Sequence, residues 1–136
     1  MRLVLDANEY IFGLAPRREP ACAELLERLA GHFGDFSLRL PRLIAKEVDR
    51  NLTPEAFKEF LKFVGLFTII DEDDVVPFEL GVKYERKGLK PADAFIAAYT
   101  EWVGADVLVT ENRHFLSRRA DLPFKVLTAE QTLKVL

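Results

Sequence analysis

What this chain of 136 residues lacks narrows it first. It carries one cysteine, Cys22, so neither an internal disulfide nor a multi-thiolate zinc site is available, and the thiol is expected to act as a small apolar core side chain. No run of about 18 apolar residues is present to span a bilayer. The opening stretch MRLVLDANEY meets an acid too early to supply the apolar region of a secretory signal, which leads to the expectation of a cytoplasmic protein. Positive charge is short as well. A net charge of −3 gives no global attraction to a polyanion, so nucleic acid would have to be held by local basic clusters or through bound cations. There is no HExxH pair, no internal repeat, no low-complexity tract and no linker. The 49% apolar content is enough for a real core, and one domain over residues 1–136 is expected.

What is present alternates. RLVL (2–5), FTII (67–70), DVLVT (106–110) and FKVL (124–127) are short aliphatic or β-branched runs, with SLRL (37–40) a weaker fifth, and most read as buried on both faces. The segments between them read as helices. CAELLERLA (22–30) repeats Cys22, Leu25, Leu26 and Leu29 on one helical face. PRLIAKEVDRN (41–51) and PADAFIAAYTEWV (91–103) open with proline, and TPEAFKEFLKFV (53–64) sets a Thr N-cap before a first-turn proline. Strands that are apolar throughout and alternate with helices predict a three-layer α/β/α fold around a parallel sheet of about five strands.

In such sheets ligands bind beyond the carboxyl ends of the strands, where strand order reverses, so the residue after each apolar run matters most. RLVL ends at Asp6 and DVLVT at Glu111. Either acid taken singly can equally be the N-cap of a following helix. Glu47 is harder to explain that way. It shares a helical face with Ile44, Val48 and Asn51, while Lys46, Asp49 and Arg50 are expected on the other side, and a buried unpaired carboxylate needs a cation or a proton. Asp93 stands in the first turn of its helix among Ala92, Ala94, Ala97 and Ala98, where the helix dipole alone would also welcome it. Four carboxylates that converge would repel one another, so convergence implies a cation. An oxygen donor set selects Mg²⁺ or Mn²⁺ rather than zinc, and such ions serve phosphodiester hydrolysis by activating water and steadying the leaving oxygen.

These stretches together resemble the PIN-domain family of metal-dependent ribonucleases, including the VapC-like toxins of toxin–antitoxin pairs, over nearly the whole chain. The resemblance rests on LVLDAN (3–8), with Asp6 and Asn8 in an Asp-x-polar opening, on Glu47 in IAKEV, on Asp93 in PADAFIAA and on LVTENRHF (108–115). It implies a sheet ordered 3-2-1-4-5, endoribonuclease activity on single-stranded RNA with Mg²⁺ or Mn²⁺, a homodimer and, in the toxin branch, a cognate antitoxin. Asp6, Glu47, Asp93 and Glu111 are the implied metal ligands and catalytic acids. The pattern departs at the last of these, because many members of that family place an Asp two positions after the Thr, whereas Thr110 is followed by Glu111 and then Asn112. Glu111 is expected to reach the cation through water, with Asn8, Thr110 and Asn112 supporting the site.

Arg113 and His114 are candidates for contact with RNA phosphate, and Arg17, Arg18, Lys83, Arg86, Lys87, Lys90, Arg118 and Arg119 are further basic positions. DEDD (71–74) reads as a cap and solubilising turn, since consecutive acids point in different directions. Phe57, Phe60 and Phe63 are either a dimer seam or a core face. An aspartyl-nucleophile phosphotransfer domain would also set an Asp after its first strand, but DAN lacks the accompanying acid. The rival that remains is a non-catalytic PIN-like module that binds RNA or protein.

Overall fold

The computed structural model describes residues 1–136. Five strands, β1 (Arg2–Leu5), β2 (Ser37–Pro41), β3 (Thr68–Asp71), β4 (Val107–Val109) and β5 (Lys125–Leu127), form one sheet in the order β3-β2-β1-β4-β5. All four pairings are parallel. Around the sheet lie α1 (Ala7–Leu14), α2 (Pro20–Gly31), α3 (Arg42–Asn51), α4 (Pro54–Phe67), α5 (Phe78–Arg86), α6 (Pro91–Trp102), α7 (Arg113–Leu116) and α8 (Ala129–Val135). The result is the PIN-like three-layer α/β/α architecture. No helix is long and apolar enough to cross a membrane.

The central strands are apolar at successive positions because helices cover both faces of the sheet: Leu3, Val4 and Leu5 of β1 and Val107, Leu108 and Val109 of β4 are all buried. The same expectation fails for β3. Ile69 is 56% exposed and Ile70 39%, since β3 is an edge strand that the helices cover only in part. Arg39 of β2 ties this edge down with two hydrogen bonds to Asp71, at 2.8 and 3.0 Å, and the Tyr99 hydroxyl adds a third at 2.6 Å. Phe67, expected to open the strand, instead closes α4, which runs three residues beyond the predicted end.

Helix starts follow their chemistry. Thr53 Oγ1 accepts from the Ala56 N–H at 3.2 Å with Pro54 at the first position, and α3 buries Ile44 and Val48 along one face. Phe60 and Phe63 are buried, stacked edge-on against Tyr10 with ring centres 5.1 and 6.1 Å apart, so these aromatics are core and not an exposed seam. Gly13 permits the close approach of α1 to α2. A Cβ there would meet Leu26 Cδ1 at 2.7 Å and the Cys22 carbonyl oxygen at 3.1 Å.

Candidate functional site

The chain builds β2 and β3 on one side of β1 and β4 and β5 on the other, so strand order reverses between β1 and β4. Asp6 directly follows β1, and Thr110 directly follows β4. At that end of the sheet a cleft of about 160 Å³ is lined by Asp6, Asn8, Glu47, Arg50, Asp93 and Asn112, with Leu43, Ala92 and Ile96 supplying its carbon surface. Four segments contribute: the β1–α1 junction, the middle of α3, the first turn of α6 and the residue capping α7. A larger groove of about 1020 Å³ runs along β5, but Asp106, Arg119 and Lys125 are its only charged residues and no acids gather there.

Asp6 serves two structures at once. It is the N-cap of α1, with Oδ1 accepting from the Ala7 N–H at 2.8 Å, and its Oδ2 accepts from Thr110 Oγ1 at 2.7 Å. Thr110 Oγ1 in turn accepts from the Asn112 N–H at 3.0 Å, and Asn112 Nδ2 donates to Asp93 Oδ1 at 3.3 Å. One hydrogen-bonded path therefore links Asp6 to Asp93. Burial pushes the Asp6 carboxyl above its ordinary range, against the Thr110 and Ala7 donors, and the charges of Glu47 and Asp93 push the same way. None of Asp6, Glu47 and Asp93 enters an ion pair. They do not bring one oxygen each within 4.8 Å of all the others.

Glu111, expected as the fourth acid of the cleft, lies elsewhere. Its Oε2 accepts from the Ala129 N–H at 3.0 Å at the start of α8, and its carboxylate sits with Glu9 and Cys22, where one donor atom from each residue lies within 4.8 Å of the others. The reason is local: in extended backbone leaving β4, side chains alternate, so Thr110 and Asn112 face the cleft and Glu111 faces away. Asn112 holds the position in the cleft where an acid was expected at Glu111. Its Oδ1 also accepts from the His114 N–H at 2.9 Å and caps α7. Arg113 and His114 are exposed on α7 and do not line the cleft.

Two residues in these sites escaped the sequence reading. Arg50 was assigned to the outer face of α3, yet it lines the cleft one helical turn from Glu47. Glu9 is wholly buried, and nothing in ANEYIFGL marks it out, because Asn8 beside it and the capping Asp6 make the first turn look polar. Cys22 is buried as expected but is not merely apolar filler, because its Sγ donates to Glu9 Oε2 at 3.1 Å. Burial, then the neighbouring Glu111, pushes Glu9 up to about 9, and burial pushes the Cys22 thiol up with the Glu9 charge reinforcing it.

Several of the basic candidates are engaged in holding the fold. Lys83 pairs with Glu101 at 2.9 Å, Lys87 donates to the Asp121 carbonyl, Arg118 to the Lys87 carbonyl and Arg119 to Gln131. Within DEDD, Asp71 pairs with Arg39, Glu72 with Arg42, and Asp73 accepts from the Leu43 N–H at 2.9 Å at the start of α3.

Neither family models nor curated protein sequences give a match to this chain. Solved structures do. The fold is similar to a chain in the crystal structure of VapBC2 from Rickettsia felis bound to a DNA fragment from their promoter, with a TM-score of 0.63 and 19% identity over 94% of this chain and 98% of that one. It is also similar to a chain of FitAcB from Neisseria gonorrhoeae, with a TM-score of 0.61 and 16% identity over 94% of this chain and 98% of that one. At these identities the likeness is one of fold.

Proposed function

We propose that this protein is a Mg²⁺- or Mn²⁺-dependent endoribonuclease acting on single-stranded RNA, and that it is the toxin of a toxin–antitoxin pair. The observation that carries the reading is the gathering of Asp6, Glu47 and Asp93 in one cleft at the strand-order reversal, without an ion pair among them. Three carboxylates that share a cleft, with the charges of Glu47 and Asp93 adding to burial in raising Asp6, suit a hard divalent cation. An ion of the Mg²⁺ kind keeps several of its waters, so it can meet some of these acids through water and take one or two directly.

Asp6, Glu47 and Asp93 would hold the ion, and when bound it would activate water for attack on a phosphodiester and neutralise charge on the departing oxygen. The chain's own residues prepare that place. Thr110 fixes the Asp6 carboxylate, Asn112 steadies Asp93, and Arg50 offers a guanidinium to the phosphate at the rim of the cleft. The toxin assignment rests on the fold likeness to chains of VapBC2 and FitAcB, and the expected partners are a cognate antitoxin and a second copy of this chain. Asn112, in the place where an acid was expected, favours a second reading, a non-catalytic PIN-like module that binds RNA or protein.

The deciding experiment incubates the purified chain with single-stranded RNA in Mn²⁺ and in EDTA. Cleavage in Mn²⁺, silence in EDTA and loss of cleavage in Asp93→Asn are expected. RNA that is bound but never cut, whatever the metal, would establish the binding module instead.

A further inference from the structure

The Glu9, Cys22 and Glu111 cluster is not explained by a ribonuclease cleft. Its three residues come from α1, from α2 and from the segment after β4, so the fold assembles it without any help from neighbouring sequence. Glu9 Oε2 is already in contact with the Cys22 thiol, whereas Oε1 has no hydrogen-bond partner although Glu9 is completely buried. A buried carboxyl oxygen without a partner is the kind of exception that folded proteins reserve for a proton, a water or an ion. This carboxyl group faces a thiol and a second carboxyl group, which offer metal-ligating atoms and no counter-charge.

We propose that Glu9, Cys22 and Glu111 form a binding site for a thiophilic divalent cation of the Zn²⁺ class, separate from the acid cleft. The inference does not depend on the nuclease reading. Zn²⁺ takes thiolate at about 2.3 Å and carboxylate oxygen at about 2.0–2.2 Å in a tetrahedron, which sets its ligand atoms roughly 3.5 Å apart. Donor atoms already within 4.8 Å of one another need only a modest contraction to reach that. The sulfur decides the metal. Mg²⁺ and Ca²⁺ take oxygen alone, while a thiolate with two carboxylates selects zinc and its softer neighbours.

Three protein ligands leave the fourth tetrahedral position open. A pocket of about 350 Å³ is lined by Cys22 and Glu111 together with Phe12, Glu19, Thr128 and Glu130, so it reaches two of the three ligands, and the two further acids would draw a cation in. Binding displaces the thiol proton of Cys22 and the carboxyl proton of Glu9 to solvent, so affinity falls as the solution is acidified. The Ala129 N–H donating to Glu111 Oε2 orients that ligand from behind.

Cobalt reports this geometry directly. The full chain, stripped with chelator, is titrated with Co²⁺ alone and followed by absorption. One equivalent should produce a thiolate-to-cobalt charge-transfer band with visible tetrahedral absorption, removed by one equivalent of Zn²⁺ and untouched by excess Mg²⁺. Cys22→Ser should remove the charge-transfer band, Glu9→Gln should weaken Co²⁺ binding at least about tenfold, and Asp93→Asn should leave the band in place. Absence of the band in the wild-type protein at saturating Co²⁺ overturns the proposal whatever the variants do, and would mean that Glu9 and Glu111 share a proton instead. A band that survives Cys22→Ser, or that disappears in Asp93→Asn and not in Glu9→Gln, overturns it as well.

Discussion

Thr110 Oγ1 donates to Asp6 Oδ2 at 2.7 Å across the β1–β4 junction and accepts the Asn112 N–H at 3.0 Å on its other side. A single hydroxyl thereby sets the carboxylate of one strand end and the backbone of the next. Thr110→Val keeps the shape and deletes both bonds. Cleavage of RNA is expected to fall about 10–100-fold, as for other groups that orient a metal ligand, with a loss of about 1–3 kcal/mol for the buried partners left unpaired. Thr110→Ser should recover most of the rate. A Thr110→Val protein that cleaves like wild type would make the hydroxyl a purely structural link.

Asn112 stands in the cleft beside Asp93 with an amide where an acid was expected. Asn112→Asp adds a fourth carboxylate and removes the amide donation to Asp93. In EDTA the variant should melt below wild type, because like charges then crowd the cleft, and saturating Mn²⁺ should raise its Tm by more than it raises that of wild type. Calorimetry with and without Mn²⁺ measures both. Equal metal-induced shifts in the two proteins would place position 112 outside the reach of the ion.

Glu9 makes the stability of the metal-free protein depend on pH with a definite sign. Burial, with Glu111 beside it, raises Glu9 from an ordinary 4.5 to about 9. In the unfolded chain its proton leaves near the ordinary value, so across the interval the folded state holds a proton that the unfolded state has lost, and stability falls as pH rises. Thermal melts in chelator from about pH 5 to about pH 9 should show a declining Tm, and Glu9→Gln should flatten that decline. Parallel slopes in the two proteins would assign the pH dependence to other groups.

Asp71 behaves in the opposite way. Burial by itself would raise it, but two hydrogen bonds from Arg39 and one from the Tyr99 hydroxyl hold it below its ordinary 3.8. A lowered carboxyl stabilises fully above its unfolded value and loses that contribution as pH falls through the folded one. Asp71→Asn should cost about 1.5–3 kcal/mol in urea unfolding at neutral pH, the range for hydrogen bonds to charged groups. That gap should narrow in acid, where wild type also loses the charge. A constant gap down to about pH 2 would show that the cost lies in packing and not in the ion pair.

Much of the architecture was decided by local sequence. RLVL and DVLV are apolar at consecutive positions, and only a strand covered on both faces uses such a run, so a parallel three-layer fold followed from composition and alternation alone. The meeting of Asp6, Glu47 and Asp93 was legible too, Asp6 from its place after an apolar strand, Glu47 from its charge on the apolar side of a helix and Asp93 from its place in a first turn among alanines, and all three line one cleft. The period-two alternation that turns Glu111 away from the cleft and Asn112 toward it was also in the sequence, but it was overridden by charge, which made the acid look like the ligand. Arg50 stands three residues after Glu47 and so shares its side of α3, a spacing present in the sequence but masked by the charge that assigned it outward. Tertiary structure decided the rest. FTII has the composition of a central strand and became an exposed edge because strand order, which no run of four residues encodes, left it with one neighbour. Glu9, Cys22 and Glu111 meet only because α1 closes on α2 over Gly13 while β4 inserts beside β1, and contacts between distant segments are set by how whole elements pack, not by the residues next to each in the chain.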